Sequence, residues 1–243
     1  MATNNIQGNT RGKTAGKEKS GAGLVAFTEP KSAAAEAYRA LRTNIQFASP
    51  DNPVHTILAT STSPDDGKST TIANLAITFA ANGSPTILVD ADLRRPHLHQ
   101  IFGLSNNVGL TTWVAEVAQG KEAASVNVPL QKTQIPNLLV LTSGPVPPNP
   151  AEILASKRVS DLLGLLRAQA EYLLIDVPPI IAVTDAAVLA PRVDGVLLVV
   201  NAGKTRRDLA IKARDMLRQV NANVLGVVLN NATIDKSAYE YYG

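Results

Sequence analysis

Short runs of mostly apolar residues recur along the chain, and each run ends in polar residues. The runs are almost continuously apolar rather than alternating, which is typical of strands buried on both faces of a parallel sheet. We therefore predict a strand in each run. The runs are HTILATS (55–61), PTILVDAD (85–92), NLLVLTSG (137–144), EYLLIDVPP (171–179), DGVLLVVNAG (194–203) and VLGVVLNNA (224–232).

Helical segments are predicted before the first run and between several of the others. They cover residues 32–47, 68–82, 151–170 and 206–221. The third segment carries a stripe of apolar residues at helical spacing, formed by Ile153, Leu154, Val159, Leu162, Leu163, Leu165 and Leu166. Alternating strands and helices predict an α/β fold, a doubly wound and mostly parallel sheet flanked by helices. We find no internal repeat and no second domain.

Two polar ends flank this predicted domain of residues 29–232. Residues 1–28 are rich in Gly, Lys, Thr, Asn and Ser, and we expect a disordered basic tail there. Its charges suit either a solvated leader or a contact with anionic lipid. Residues 233–243 are expected to form a flexible tail. This short end holds Tyr239, Tyr241 and Tyr242, although the whole chain has only 5 tyrosines.

Composition narrows the class of protein. The 243 residues are 45% hydrophobic, which is a globular composition. The formal net charge of +3 is too small to argue for nucleic acid. The absence of cysteine excludes disulfides and thiolate metal sites, and it fits a reducing cytoplasm. No apolar run approaches the ~18 residues needed to cross a bilayer, so we expect any membrane association to need a partner.

A phosphate-binding loop is predicted after the first strand. Gly67-Lys68-Ser69-Thr70 opens a helix there, and backbone N–H groups at a helix start suit a phosphate. In such Walker A loops the lysine reaches the β- and γ-phosphates and the hydroxyl binds Mg²⁺. The strict pattern G-x-x-x-x-G-K-[ST] fails at its first position, which holds Thr62. The strand-loop-helix context nevertheless predicts a nucleotide site.

Carboxylates end two of the other predicted strands. Asp90 and Asp92 lie at the end of ILVDAD, and Asp176 at the end of LLID. Buried carboxylates are costly unless something pairs them, and a magnesium nucleotide would do so. The alternative is that Asp90 or Asp176 only caps the turn that follows. Both together, beside Gly67-Lys68-Ser69-Thr70, favour the nucleotide site.

In this combination the motifs resemble the bacterial tyrosine kinases of capsule and exopolysaccharide synthesis, P-loop NTPases of the MinD/ParA-like group. The resemblance covers about residues 30–243. It rests on TSxxPxxGKST at 60–70, aliphatics with D-x-D-x-R at 87–94, SGPxPPNPxEIL at 143–154, aliphatics with D-x-x-P at 173–179, E-x-x-R-x-x-R at Glu36, Arg39 and Arg42, and the terminal tyrosines.

This resemblance implies an ATP- and Mg²⁺-dependent protein-tyrosine kinase that autophosphorylates Tyr239, Tyr241 and Tyr242. Lys68, Asp90 and Asp92 are the implied catalytic residues. A base must take the tyrosine proton, because the phenol pKa is about 10, and the sequence does not decide between the two aspartates. The implied nucleotide-binding residues are Asp66, Gly67, Lys68, Ser69, Thr70 and Asn230, and those implied around Mg²⁺ are Ser69, Asp90, Asp92 and Asp176.

Partners are also implied by the family. Its members work as rings in which one subunit's tail enters its neighbour's site. Glu36, Arg39 and Arg42 form a slanting stripe on one helix, which is either a subunit contact or a solvated face with an ion pair. A separate transmembrane polysaccharide co-polymerase adaptor is expected to supply an activating segment. The resemblance thus implies a cytoplasmic protein recruited to the inner face of the membrane, with other protein substrates and no nucleic acid.

Two alternatives remain open from the sequence. ParA/MinD-type ATPase switches carry an extra lysine early in the phosphate loop, and residues 60–66 contain none. An ATP-binding assembly regulator with little kinase turnover is not excluded. The loop also departs from the family, which usually has a glycine after the loop proline. Here Asp65 and Asp66 follow Pro64, and two carboxylates near phosphates should weaken ATP binding unless they point away.

Overall fold

The computed structural model describes residues 23–48 and 51–232. Within them the chain forms a seven-stranded sheet in the order β3-β4-β2-β5-β1-β6-β7. The strands are β1 (Thr56–Ser61), β2 (Thr86–Asp90), β3 (Gln131–Lys132), β4 (Leu138–Leu141), β5 (Tyr172–Asp176), β6 (Gly195–Asn201) and β7 (Val224–Asn230). Neighbours pair in parallel, except that β3 is antiparallel to β4.

The predicted fold class is confirmed, and each predicted apolar run contains one strand. The sequence pattern missed β3 because it has only two residues, both polar, and it lies at the sheet edge. The central strands β1, β2, β5 and β6 are buried along their whole length, which explains why their sequences do not alternate.

Helices cover both faces of the sheet. They are α1 (Val25–Thr28), α2 (Ala33–Phe47), α3 (Lys68–Ala81), α4 (Leu98–Phe102), α5 (Leu110–Ala118), α6 (Pro150–Ala155), α7 (Lys157–Arg167), α8 (Asp185–Leu189) and α9 (Arg207–Gln219). Neighbouring residues of β1 point to opposite faces. Leu58 belongs to the core cluster shared with α5, α7 and α9, and Ile57 to the cluster shared with α3. Among the described residues, no helix is long and apolar enough to span a membrane.

The helix predicted over residues 151–170 is wrong as a single element. It is divided into α6 and α7 at Ser156, whose backbone is extended with φ −64° and ψ 152°. The Ser156 hydroxyl donates to the carbonyl of Ile153 at 2.7 Å, a local bond that competes with helix continuation. The predicted apolar stripe is nevertheless buried at Leu154, and at several positions of α7.

The N-terminal boundary also differs from the prediction. The expected disordered tail extended to residue 28, but Val25–Thr28 is helical and Leu24 is buried. The Asn74 side chain on α3 holds this segment in place. It accepts from the Ala26 N–H at 2.9 Å and donates to the Gly23 carbonyl at 2.7 Å. The rest of that predicted tail, residues 1–22, and the predicted C-terminal tail lie outside the described residues.

Candidate active site

The loop between β1 and α3 is built around Gly67. Its φ of +87° lies in the left-handed region, and a Cβ there would come within 1.9 Å of the Asn230 Nδ2 atom. Asn230, the last residue of β7, donates to the Asp66 carbonyl at 3.0 Å. Helix α3 then begins at Lys68, so its first N–H groups point toward the loop with no partner inside the helix. This arrangement suits an anionic phosphate.

The two acidic residues of the loop take different positions. The Asp66 carboxylate is buried and turned into the loop, where it accepts from the Thr62 hydroxyl at 2.5 Å and the Ser63 N–H at 2.9 Å. It also accepts from Thr205 at 3.2 Å. Asp65 is exposed and has a φ of 63°, which aspartate tolerates better than most residues. The Asp66 side chain therefore stabilises the conformation of the loop. Thr62, which stands where the Walker A pattern has its first glycine, donates its hydroxyl to Asp66.

Lys68 joins the loop to the ends of two strands. Its Nζ atom lies 3.0 Å from Asp92 Oδ2, 3.0 Å from Asp176 Oδ1 and 3.2 Å from Ser69 Oγ. The Ser69 hydroxyl donates to Asp176 Oδ2 at 2.5 Å. Burial alone lowers the Lys68 pKa, but the charges of Asp176 and Asp92 outweigh it and the net pKa is raised. Lys68 is therefore held as a cation between two carboxylates.

Asp90 and Asp92 lie in different environments. Asp90 is fully buried, and its Oδ2 atom accepts from the N–H groups of His97 and Leu98 at 3.1 and 3.0 Å. Burial, with the charge of nearby Asp176, raises the pKa of Asp90 to about 8. Asp92 instead lines the cavity described next. Burial also raises the pKa of Asp176, against the opposing effect of Lys68.

A cavity of about 770 Å³ opens at this edge of the sheet. One wall is the loop with the start of α3, the second is residues 92–100, and the third is residues 178–183. The volume is in the range of sites that bind small ligands and cofactors. Of the residues implied for the nucleotide and Mg²⁺, Asp66, Gly67, Lys68, Ser69, Thr70 and Asp92 line the cavity, whereas Asp90, Asp176 and Asn230 are not among its lining residues.

Comparison with known proteins decides the class. The ParA family model, described as NUBPL iron-transfer P-loop NTPase, matches residues 53–240. The chain is 43% identical over 221 residues to tyrosine-protein kinase YwqD of Bacillus subtilis, covering 90% of this chain and 91% of YwqD. It is 38% identical over 222 residues to putative tyrosine-protein kinase CapB of Staphylococcus aureus, covering 90% and 95%. The chain belongs to the bacterial tyrosine kinase family.

A solved structure agrees with this family. The crystal structure of the chimerical protein CapA2B2 matches with a TM-score of 0.80 and 38% identity, covering 88% of this chain and 91% of that one. The predicted resemblance, the P-loop NTPase fold and the enzyme class are thus confirmed. This chain is a protein-tyrosine kinase, and its fold is one that binds nucleotides.

The oxygen atoms near Lys68 show whether the site suits the Mg²⁺ ion that the family resemblance implies. Mg²⁺ takes oxygen ligands, commonly one or two carboxylates together with substrate phosphates. Ser69, Asp92 and Asp176 bring such oxygens to one lysine nitrogen. In the described ranges, no group of three or more His, Cys, Asp or Glu residues is arranged to hold a metal alone. The donor set therefore fits Mg²⁺ shared with a nucleotide rather than an ion held by the protein alone.

One ion pair of the kinase was not predictable from the sequence. Arg94 donates from Nε and Nη2 to the two oxygens of Asp185, each at 2.9 Å, and Asp185 is fully buried at the start of α8. The hydrogen bond to Asp185 raises the Arg94 pKa. The pair ties the 92–100 wall of the cavity to the 178–183 wall. Arg94 belonged to a recognised motif, but no sequence pattern pointed to Asp185.

The predicted contact residues of α2 lie away from the cavity. Arg39 pairs with Glu36 at 2.6 Å and donates to the Pro30 carbonyl at 2.8 Å. Arg42 instead reaches α3 and donates to the Thr78 carbonyl at 2.9 Å. Its Nε atom is buried without a hydrogen-bond partner among the described residues. Tyr239, Tyr241 and Tyr242 lie outside the described residues.

Proposed function

We propose that this kinase transfers the γ-phosphoryl group of Mg-ATP to Tyr239, Tyr241 and Tyr242, and in this way regulates capsular or exopolysaccharide synthesis and export. The observation that carries the proposal is the cluster in which Lys68 contacts Ser69, Asp92 and Asp176, at the end of the cavity where the loop meets the strand ends. Phosphoryl transfer depends mainly on positioning and on neutralising charge, and this cluster supplies both.

The loop and Lys68 would hold the nucleotide. The N–H groups at the start of α3 and the Lys68 cation would bind the β- and γ-phosphates. Ser69, Asp92 and Asp176 would hold Mg²⁺, which would supply further charge neutralisation. Asn230 supports the loop through Asp66, and a contact with the nucleotide base is proposed in addition.

Asp92 is the better candidate for the base. The tyrosine oxygen attacks the γ-phosphorus, the bond to the β-phosphate oxygen breaks, and the phenolic proton passes to a carboxylate, leaving ADP and phosphotyrosine. Asp92 lines the cavity, whereas Asp90 is fully buried and holds the N–H groups of His97 and Leu98. Asp90 is therefore proposed to position the 92–100 wall.

The subunit arrangement is proposed to be a ring that passes the tail of one subunit to the next. Glu36, Arg39 and Arg42 on α2 are the proposed contact. The exposed side chains of Arg39 and Glu36 support this, because a neighbouring subunit can reach them. Each phosphotyrosine adds up to two negative charges, so phosphorylated tails should repel and loosen the ring.

The cellular setting is carried over from relatives. One solved structure similar to this chain is that of a chimerical protein, CapA2B2, which is compatible with a kinase that works with a second protein. We propose a transmembrane polysaccharide co-polymerase adaptor that activates this chain and recruits it, from the cytoplasm, to the inner face of the membrane. Other protein substrates would be phosphorylated there, and no nucleic acid is involved.

The proposal is tested by mass spectrometry of the C-terminal peptide. Purified wild type and the Lys68→Met variant are incubated with Mg-ATP, with and without a cytoplasmic segment of a candidate adaptor. Phosphate on Tyr239, Tyr241 or Tyr242 in wild type alone supports autophosphorylation. The absence of phosphate on the wild-type C-terminal peptide in every condition contradicts it.

A further inference from the structure

The two sides of the cavity mouth differ in charge. The 92–100 wall exposes Arg94, Arg95 and His97, while the loop wall exposes Asp65. Arg94 is bound to Asp185 through both of its donating nitrogens. Arg95 has an exposed side chain that forms no ion pair or hydrogen bond within residues 23–48 and 51–232. Arg95 is thus an uncommitted cation at the mouth.

Arg95 is placed directly beside the proposed base. Its backbone N–H donates to Asp92 Oδ1 at 3.0 Å, so a tight turn connects the two residues. A tyrosine whose hydroxyl reaches Asp92 brings its chain neighbours to the mouth, because successive Cα atoms are only about 3.8 Å apart. The residue next to the tyrosine therefore comes within range of the Arg95 side chain.

The proposed substrate carries the complementary charge. In AYEYYG, Glu240 lies between Tyr239 and Tyr241, so it is adjacent to whichever of these two enters the cavity. Arginine binds carboxylates through two parallel hydrogen bonds, which fixes orientation as well as charge. The exposed Asp65 disfavours a carboxylate on the loop wall, which leaves the Arg95 side.

We propose that Arg95 is a specificity-determining residue that selects tyrosines with a neighbouring carboxylate, and that Glu240 is its partner when Tyr239 or Tyr241 is phosphorylated. This inference rests on the proposed autophosphorylation. The other Lys and Arg side chains that line the cavity agree with it, since Lys68 is already paired with Asp92 and Asp176, and Arg94 with Asp185. Arg95 remains for the substrate.

The test compares peptide acceptors. A full-length enzyme with Tyr239, Tyr241 and Tyr242 replaced by phenylalanine, together with an activating adaptor segment, phosphorylates peptides of residues 233–243 that carry Glu, Gln or Lys at position 240. We expect kcat/KM for the Glu peptide to exceed that for the Gln peptide about fivefold, mainly through KM. Arg95→Ala removes this ratio. Arg95→Glu inverts it in favour of the Lys peptide, a charge-swap rescue that a merely structural role of Arg95 cannot produce.

The matched control is Arg218→Ala, which removes an exposed arginine in the last turn of α9, and the Glu/Gln ratio should survive it. If Arg95→Ala slows the Glu and Gln peptides equally, Arg95 acts on the nucleotide or the fold, and the specificity role is overturned. If the enzyme that keeps Arg95 phosphorylates the Glu and Gln peptides at equal rates, this inference is overturned and the proposed function is not. No transfer to any peptide overturns the proposed function and this inference with it.

Discussion

Helix α3 has two very different ends. At its first turn, Lys68 is buried among Asp92, Asp176 and Ser69, and Gly67 is crowded by Asn230. At its last turn, the half-buried Arg42 donates to the Thr78 carbonyl, and Gly83, which follows the helix, has nothing within 4 Å of its missing Cβ. Each end of α3 thus has one cation and one glycine. At the first turn these residues contact several other side chains of the site, and at the last turn they have few such contacts.

This difference shows where the kinase is vulnerable. Removing one member of a buried charge pair leaves the other charge without a partner, whereas an exposed ion pair contributes little. Changes at the first turn of α3 should therefore affect folding, proton binding and catalysis together. Changes at the last turn should remain local.

The largest effect is expected for Lys68→Met. The substitution leaves Asp92 and Asp176 without their cation, so we expect the free energy of unfolding at neutral pH to fall by about 3 kcal/mol. Tyrosine phosphorylation should fall at least ~10²-fold, the order expected for losing one group that stabilises developing charge. Urea unfolding and phosphate incorporation measure the two effects.

A second substitution separates charge from packing in this variant. Adding Asp176→Asn removes one of the stranded carboxylates, so the double variant should regain part of the lost stability without regaining activity. If Lys68→Met is as stable as wild type, the carboxylates do not depend on Lys68 and the coupling inferred at this end of α3 is wrong.

The coupled end was also the harder one to predict. The sequence located Asp90 and Asp176 correctly at strand ends, because long apolar runs mark where a strand ends, and it located Lys68 correctly at the start of a helix. It did not show that Asp90 binds the N–H groups at the start of α4 while Asp92 faces the cavity. That division depends on the turn after β2, a tertiary feature that no periodicity records.

The errors in the fold have a similar physical cause. The break at Ser156 follows from a hydroxyl bonding back to its own helix, although the apolar stripe continues through it. The order of residues 23–28 depends on Asn74, which lies about fifty residues later in the chain. Contacts between distant residues decided these points, whereas local patterns were sufficient for each of the long strands.

A second prediction concerns proton binding at Asp90. Its pKa is raised from 3.8 to about 8 by burial and by Asp176, so the folded state holds a proton that the unfolded state releases between these values. Folding stability should therefore be highest below about pH 4 as far as this group is concerned. It should fall as pH rises toward about 8, by at most about 1.4 kcal/mol per pH unit.

Comparison with Asp90→Asn isolates this group from Asp176, whose pKa is also raised. Urea unfolding of both proteins between about pH 5 and 8 should give a less negative dependence on pH for the variant. Parallel curves would show that Asp90 is ionised in the folded protein, and the proposed assignment of the base would then need to be reopened.

Two glycines give a matched test of crowding. Gly67 and Gly83 have similar φ values of +87° and +93°, but only Gly67 has Asn230 within 1.9 Å of the position of a Cβ. Gly83→Ala should cost only the left-handed backbone strain, about 1 kcal/mol. Gly67→Ala should cost about 1–3 kcal/mol more and weaken nucleotide binding, because Asn230 or the loop must move. Urea unfolding and titration with ATP check both; equal losses would mean that Asn230 yields freely.

The smallest effects belong to α2, where two arginines of one motif should behave differently. Arg42→Ala removes a cation from a carbonyl in the last turn of α3, so we expect a loss of about 1 kcal/mol. Arg39→Ala removes an exposed pair with Glu36 and should cost about 0.3 kcal/mol.

Urea unfolding must be performed at dilutions where sizing shows a monomer, because assembly would add to the apparent stability. At higher concentration, a variant with both Arg39→Ala and Arg42→Ala should elute smaller than wild type on sizing if α2 forms the ring contact. An Arg42→Ala variant that matches Arg39→Ala in stability would mean that the bond from Arg42 to the Thr78 carbonyl does not stabilise the fold.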